Sequence, residues 1–167
     1  VAKFVEFIGK ASHAGNSPEK GINALNAANI AMNAINAQRE TFKDDDHIRV
    51  HPIITNGGSV VSAVPDTVKI ETFVRGASIE SIIDANKKVD NCLKAGALAT
   101  GCKLKITTIP GYLPIKNNYE LQNIYVTNLK NNFEKKYIVV DKHSGGSTDI
   151  GDVSNLIPSI HPYVGGC

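Results

Sequence analysis

The amino-acid sequence predicts an α+β fold: a ferredoxin-like βαββαβ two-layer sandwich, with a four-stranded antiparallel sheet and two helices on one face, followed by an incomplete α/β segment. Three observations predict it. Four β-rich runs and two helical patterns follow one another in the order βαββαβ. One of these strands alternates strictly between apolar and polar residues, which is typical of a sheet with one open face. Another strand contains a proline, which places that strand at an edge of the sheet.

The first helix follows the first strand after a glycine-flanked loop. The strand is predicted at Ala2 to Ile8 and ends at Gly9. Ser17 then occupies an N-cap position and Pro18 the first helical position, so a helix is predicted from Pro18 to about Thr41. One face of this helix is rich in asparagine, which indicates a solvated surface or a wet protein contact. The opposite, apolar stripe consists of Ile22, Leu25, Ala28, Met32 and Ile35.

The second and third strands differ in their place in the sheet. Ile48 to Thr55 is predicted as the second strand, and Pro52 within it cannot donate to a ladder, so this strand lies at an edge. The third strand alternates between a core face and an open face, and Arg75 is the last residue on its open face. The core series is Val68, Ile70, Thr72 and Val74, and the open series is Lys69, Glu71, Phe73 and Arg75.

Local sequence signals mark where the remaining elements begin and end. Ser78 caps a second helix that Gly101 ends, and Lys103 to Ile109 forms the fourth strand. The pattern then changes to elements that do not complete the first sheet, which predicts one domain over residues 1–113 and part of a second over 114–167. The elements of the second part are a helix from Tyr119 to Phe133, a strand from Tyr137 to Val140, a turn of helix from Asp149 and a strand from Ser159 to Val164.

The composition excludes several classes of protein. The chain has 167 residues and a formal net charge of +2, so it lacks the basic surface of a nucleic-acid-binding domain and a cationic helix for a membrane surface. No apolar run approaches the roughly 20 residues that span a bilayer. The three cysteines lack CxxC spacing and are interpreted as reduced thiols of a cytoplasmic protein. Of the five histidines, only His47 and His51 have HxxxH spacing, but they fall in a polar loop and an edge strand instead of a helix, and HExxH is absent, so no metal site is predicted.

Both ends of the chain indicate a piece of a longer protein. The sequence begins with Val1 inside a predicted strand, and it stops after Gly165-Gly166, where a turn has started. We therefore expect this segment to depend on neighbouring sequence for any activity.

His13 is the histidine whose setting points to chemistry. It lies in the glycine-flanked loop just before a helix N-terminus, and such a place favours anions. An exposed imidazole there can donate to a developing negative charge. A structural or surface role for His13 stays open on these residues alone. The fold also suits a small-molecule regulatory domain, whereas an RNA-recognition domain would need more aromatic residues on its open face than Phe73.

Separated motifs, in order along the chain, resemble one enzyme family. The motifs are GKASHAG at 9–15, Pro18, GINAL at 21–25, RVH at 49–51, IITNGG at 53–58, VP at 64–65, AGALATGC at 95–102, GSTDIGDVS at 146–154, Pro158 and IHPY at 160–163. Up to residue 102 they are similar to the lid, or dimerisation, domain of the M20 metallopeptidases. The later motifs are similar to the part of the catalytic domain that follows the lid. The branch containing aminobenzoyl-glutamate hydrolase and the aminoacylase-1-like dipeptidases is the most similar.

The resemblance implies roles for individual residues. His13 would reach the partner subunit's site and stabilise the oxyanion, acting as a catalytic residue in trans. Arg75 would hold the substrate carboxylate, a task suited to the guanidinium fork. Ser62 stands where the family usually has asparagine and is assigned to substrate binding. A family loop whose backbone lines the substrate pocket corresponds here to the loop from Gly145 to Thr148, in which Gly146, Ser147 and Thr148 are assigned to substrate binding.

The resemblance also implies the cofactor and partners. The longer protein would hold two zinc ions with ligands outside residues 1–167, so this piece would bind no zinc and would be inactive by itself. It would hydrolyse a small amide or dipeptide next to a carboxylate-bearing residue and would form a homodimer through the lid. The alternative is a stand-alone dimerisation or small-molecule regulatory module with the same ferredoxin-like fold.

Overall fold

In the computed structural model, which describes residues 1–134, 138–140 and 146–165, the chain forms two units, Val1–Gly111 and Tyr112–Cys167. The elements of the first unit are β1 (Ala2–Ile8), α1 (Ala24–Ala37), β2 (Arg49–Val50), β3 (Ile53–Asn56), β4 (Thr67–Arg75), α2 (Ile79–Thr100) and β5 (Lys103–Ile109). The strands pair antiparallel in the order β2-β4-β1-β5, and β3 pairs with β4 beside β2. The predicted α+β, ferredoxin-like arrangement is confirmed.

The core lies between one face of the sheet and the two helices. In β4 every second residue from Val68 to Val74 is buried, and Phe7 of β1 is fully buried beside them. The opposite face stays open, where Phe4 and Phe73 are 43% and 55% exposed. The alternation in β4 therefore identifies the open face correctly, because the side-chain period of a strand is two residues.

The predicted second strand is two strands in the structure. β2 ends at Val50 and β3 begins at Ile53, with Pro52 between them. Proline has no N–H to donate, and it restricts the residue before it, so the ladder to β4 is interrupted at this point. The sheet thus has five strands instead of four, while the edge position expected from Pro52 is retained.

α1 begins later than its sequence signals suggest. Pro18–Lys20 form a single 3-10 turn, and the side chain of Ser17 makes no cap. Ile22 instead exchanges two backbone hydrogen bonds with Lys10, each 2.9 Å, which keeps this stretch extended. The cap of α1 is Asn23, whose Oδ1 accepts from the backbone N–H groups of the second and third residues after it.

The two helices approach each other through small side chains. The buried residues of α1 are four alanines and Ile35, and two larger residues of the predicted stripe, Leu25 and Met32, are partly buried against the same core. Gly96 of α2 faces them, and a Cβ on Gly96 would lie 2.4 Å from the carbonyl oxygen of Ala27. Glycine at this position therefore permits the close contact. The ends of α2 are as predicted, with a Ser78–Ser81 capping box and Gly101 in the left-handed conformation.

A buried lysine ties β1 to α2. Lys3 is on the core face and 1% exposed, and its Nζ donates to Asp90 Oδ1 at 2.6 Å and to Thr108 Oγ1 at 3.0 Å. The ion pair thus closes one end of the core between helix and sheet. Charged side chains are almost never fully buried unless they are paired, and the contacts with Asp90 and Thr108 explain why Lys3 can be buried.

The second unit contains α3 (Tyr119–Asn132) and α4 (Ile150–Ser154) but little core. Among the described residues, every buried hydrophobic side chain lies between Val5 and Ala97, within the first unit. The strand predicted from Ser159 to Val164 is wrong, since only Ser159 makes a bridge, with Asn117. Of the strand predicted at 137–140, Tyr137 lies outside the described residues, and 138–140 are not in a strand.

Candidate active site

The loop after β1 is fixed at both of its ends. Gly9 donates to the carbonyl of Asp66 at 2.7 Å, and a Cβ on Gly9 would lie 2.0 Å from the Ile22 carbonyl oxygen. Only glycine fits this close approach of two backbones. The following residues are therefore presented by a rigid base, although they lie at the surface.

His13 is exposed at the tip of this loop, and its ring is held by the backbone. Its Nδ1 accepts from the N–H of Gly15 and from the N–H of Asn16, both at 3.1 Å. A nitrogen that accepts two hydrogen bonds carries no proton, so in the neutral imidazole the proton is on Nε2. The loop thus presents an N–H donor outward from Nε2.

Ser62 lies directly beside the histidine loop. Its carbonyl accepts from the N–H of Ala14 at 2.8 Å, and Ala63 forms a backbone bridge with His13. The Ser62 residue itself is exposed. The structure therefore brings together two of the predicted site residues, His13 and Ser62, which are 49 positions apart in the sequence.

Arg75 lies at the other end of the sheet. It is the last residue of β4, on the open face, and its Cζ is 4.9 Å from the centre of the Phe73 ring. The loops of His13 and Ser62 adjoin the opposite end of β4, where Thr67 pairs with Ile8. Eight residue steps at a rise of ~3.3 Å separate Thr67 from Arg75 by about 26 Å. The first unit of a single chain therefore does not bring Arg75 to His13.

A second arginine stands opposite Arg75. Arg49 of β2 is its cross-strand partner, and both flank a buried pair, Val50 and Val74, so both arginines occupy the open face. The sequence predicts Arg49 only as part of the RVH motif at 49–51 and gives it no role. The pairing register that joins the two arginines depends on contacts across 26 positions, and no local pattern reports it.

The predicted pocket loop of the second unit is only partly described. Gly146 and Ser147 are exposed, and Thr148 donates from Oγ1 to Asp149 Oδ1 at 3.0 Å. The carbonyl of Thr148 also accepts from the N–H of Gly151 at 3.0 Å. Gly145, which begins the predicted loop, lies outside the described residues.

The described part of the chain offers no ligand set for a metal ion. No group of three or more His, Cys, Asp or Glu side chains there is close enough to hold one. Cys92 is buried, and burial raises the pKa of its thiol, as expected of a core residue. In the same residues, no helix is long and apolar enough to cross a membrane. Cys167 lies outside the described residues.

A family model covers most of the first unit. Residues 4–101 match the model of the M20 peptidase dimerisation domain. The Xaa-Arg dipeptidase of Mus musculus is 37% identical over 163 residues, which is 95% of this chain and 37% of that protein. This chain therefore spans little more than a third of the length of that relative.

Solved structures agree with the fold. A tripeptidase from Staphylococcus aureus matches with a TM-score of 0.71 and 25% identity over 94% of this chain and 41% of that one. A putative aminohydrolase from methicillin-resistant Staphylococcus aureus matches with a TM-score of 0.74 and 20% identity over the same shares. At 20% identity, the similarity to the aminohydrolase shows a shared fold only.

Proposed function

Because the chain belongs to the M20 peptidase family, whose dimerisation domain it carries, we propose that it is part of a longer hydrolase, called the parent below. The parent hydrolyses an amide or peptide bond next to a carboxylate-bearing residue. The name of the mouse relative, a dipeptidase, supports this substrate class. Residues 1–113 are the lid, and residues 114–167 are part of the catalytic domain. Such an assignment accounts for the exposed apolar side chains of the second unit, such as Ile124 and Leu156.

The observation that carries the proposal is the outward Nε2–H of His13. Attack on an amide carbonyl places negative charge on the oxygen, and a preorganised donor stabilises that charge. Two backbone N–H groups hold the ring, so little reorganisation is needed when the charge develops. An exposed histidine with no such support would instead sample many orientations.

The separation of His13 from Arg75 supports action in trans. A dipeptide is far shorter than the roughly 26 Å between the two ends of β4. If Arg75 binds the substrate carboxylate and His13 the oxyanion, the two residues come from different subunits. Ser62 accompanies His13, because their backbones are joined.

We place the dimer interface on α1 and the β2–β3 edge. α1 follows this edge, since Leu25 near its start packs close to Gly57, and Arg39 just after its end donates to the Val50 carbonyl at 3.3 Å. The outward face of the helix carries exposed asparagines, with Ile30 40% exposed among them. An unpaired strand edge beside a mixed polar and apolar helix is a surface suited to a second copy.

Asn33→Arg tests this interface in the present chain. Two-fold symmetry places the new charge close to its own copy, so we expect dimer dissociation to be at least about tenfold easier. Sedimentation equilibrium measures it, with Asn91→Arg on the exposed side of α2 as the matched control. A wild-type chain that stays monomeric at millimolar concentration, or equal dimer strength in all three proteins, would contradict the proposed interface.

The resemblance implies zinc in the parent, and the described residues do not fit a zinc site. We therefore propose that the zinc ligands belong to regions of the parent outside this segment, as the family resemblance implies. Bound metal would supply the activated water there. The residues of this chain contribute the donor of His13, carboxylate binding by Arg75 and, through Ser62 and the backbone of 146–148, the lining of the pocket.

The proposed activity is tested on the parent. We expect hydrolysis of a dipeptide with a C-terminal arginine, loss of that activity with a chelator, and recovery on adding Zn²⁺. Metal analysis of the parent and of the 167-residue chain, each after gel filtration, is the companion measurement. A parent that forms the dimer but cleaves neither a dipeptide nor an N-acyl amino acid would favour the stand-alone dimerisation or regulatory module.

A further inference from the structure

We propose that Arg49 and Arg75 together form a two-guanidinium site for the substrate carboxylate on the open face of the sheet. Arg49 is then a second specificity residue, selecting substrates that end in a free carboxylate over those that end in an amide or ester. The inference rests on the proposed function for the identity of the ligand. The site itself is built from residues of this chain alone.

The sheet register brings the two arginines together. Arg49 and Arg75 are directly paired across β2 and β4, and side chains of such pairs have Cβ atoms about 5 Å apart on the same face. A guanidinium reaches several ångströms beyond its Cβ, so one carboxylate can contact both. Pairing of a second copy along the β2 edge would use backbone groups in the plane of the sheet and leave this face accessible.

The pair lacks a counter-charge within the described residues. No Asp or Glu side chain there lies within 4.0 Å of either guanidinium, since the three ion pairs all involve lysines. Glu6, on the same face, is instead within 3.9 Å of Lys69. Like charges directly opposite each other on a sheet are destabilising. An anion bound between them would remove this repulsion.

Neighbouring contacts orient both guanidinium groups without using up their donors. Arg75 stacks over Phe73, a contact that fixes the plane of the group but occupies no N–H. Arg49 Nη1 donates to the Ile48 carbonyl at 3.0 Å, which leaves its Nε and Nη2 donors for a ligand. A carboxylate has two oxygens with about four acceptor sites, so it can accept from two guanidinium groups at once.

The first test uses the 167-residue chain and a defined probe. N-acetyl-L-alanine carries the amide and the free carboxylate, and its carboxamide, N-acetyl-L-alaninamide, lacks the charge. We expect NMR titration to shift the side-chain N–H signals of both arginines with the acid and not with the amide. Arg49→Gln and Arg75→Gln should each weaken binding of the acid by about tenfold, the effect of losing a charged hydrogen bond.

Lys105→Gln is the matched control, because it removes one positive charge from the same face at a position opposite Glu6. Binding of the acid that weakens equally in Lys105→Gln and Arg49→Gln would mean a general charge effect, and this would overturn the proposal. Equal binding of N-acetyl-L-alanine and N-acetyl-L-alaninamide would also overturn the proposal.

The second test uses the parent and separates this inference from the proposed function. Arg49→Gln should raise KM about tenfold for a dipeptide with a free carboxylate, leave kcat nearly unchanged, and leave the carboxamide substrate unaffected. If the parent cleaves dipeptides but Arg49→Gln keeps the wild-type KM, the second arginine is not part of the site and the proposed function stands. If the parent cleaves nothing while the chain binds the acid through both arginines, the proposed function fails and the site stands.

Discussion

His13→Ala is expected to lower kcat of the parent by about 10²- to 10³-fold, the usual loss when one oxyanion donor is removed. The ring presents Nε2–H because Nδ1 is occupied by two backbone N–H groups, and alanine has no donor to replace it. KM should change much less, because the interaction forms mainly in the transition state. Steady-state kinetics on a dipeptide substrate measure both constants.

His47→Asn is the matched control for this variant. His47 has a left-handed backbone (φ 47°), a conformation that asparagine tolerates, and it lies in the loop between α1 and β2, away from the His13 loop. His47 is half-buried and lies outside the loop that carries the proposed donor, so we expect kcat to stay within a factor of about two of the wild-type value. An equal loss of kcat in the His13→Ala and His47→Asn variants would contradict a specific role for His13.

Mixing inactive subunits tests whether His13 acts across the dimer. His13→Ala subunits are combined with subunits inactivated at a metal ligand, and exchange is verified with a mass-tagged copy. Half of the dimers are then hybrids with one complete site of two, so about a quarter of the wild-type activity should return. Confirmed exchange without recovered activity would show that His13 does not serve the partner's site.

Asp90→Ala is expected to cause a large loss of stability in the first unit. The substitution leaves the ammonium of Lys3 buried with Thr108 as its remaining partner. Breaking a buried ion pair from one side costs about 3 kcal/mol in this setting, at the low end of the usual range because Asp90 is 27% exposed. Urea unfolding followed by circular dichroism measures the change.

Two comparisons make this stability prediction specific. Asp84→Ala removes an exposed partner from the Lys88–Asp84 pair on the same helix, and it should cost no more than about 0.5 kcal/mol. Lys3→Met together with Asp90→Leu should recover most of the lost stability, because no buried charge is left without a partner. Equal losses for Asp90→Ala and Asp84→Ala would mean that the Lys3 contact contributes little.

Elements governed by short-range rules could be predicted from the sequence. The ends of α2 follow from Ser78 and Gly101, whose capping roles depend on residues within one turn. The open-face position of Arg75 follows from alternation along β4. The loop histidine was identifiable from its glycine-flanked setting before a helical pattern, and family resemblance supplied its role.

Features that depend on distant partners could not be predicted in this way. α1 begins at Asn23 instead of Ser17 because Ile22 pairs with the backbone of Lys10. Lys3 resembles an exposed strand residue until Asp90 and Thr108 are brought to it. The same limit applies to the candidate site, in which the contacts of His13 with its loop and the opposition of the two arginines arise only on folding.

The close approach of Gly9 to Ile22 has a consequence for inherited variation. Every change of the Gly9 codon that introduces a side chain drives a Cβ into the Ile22 carbonyl. The base of the histidine loop must then move, although no residue with a chemical role has changed. A missense change at this codon would thus displace the His13 loop through the backbone alone, with a normal transcript and an intact reading frame. A ranking of variants by their distance from the proposed reactive groups would miss this effect.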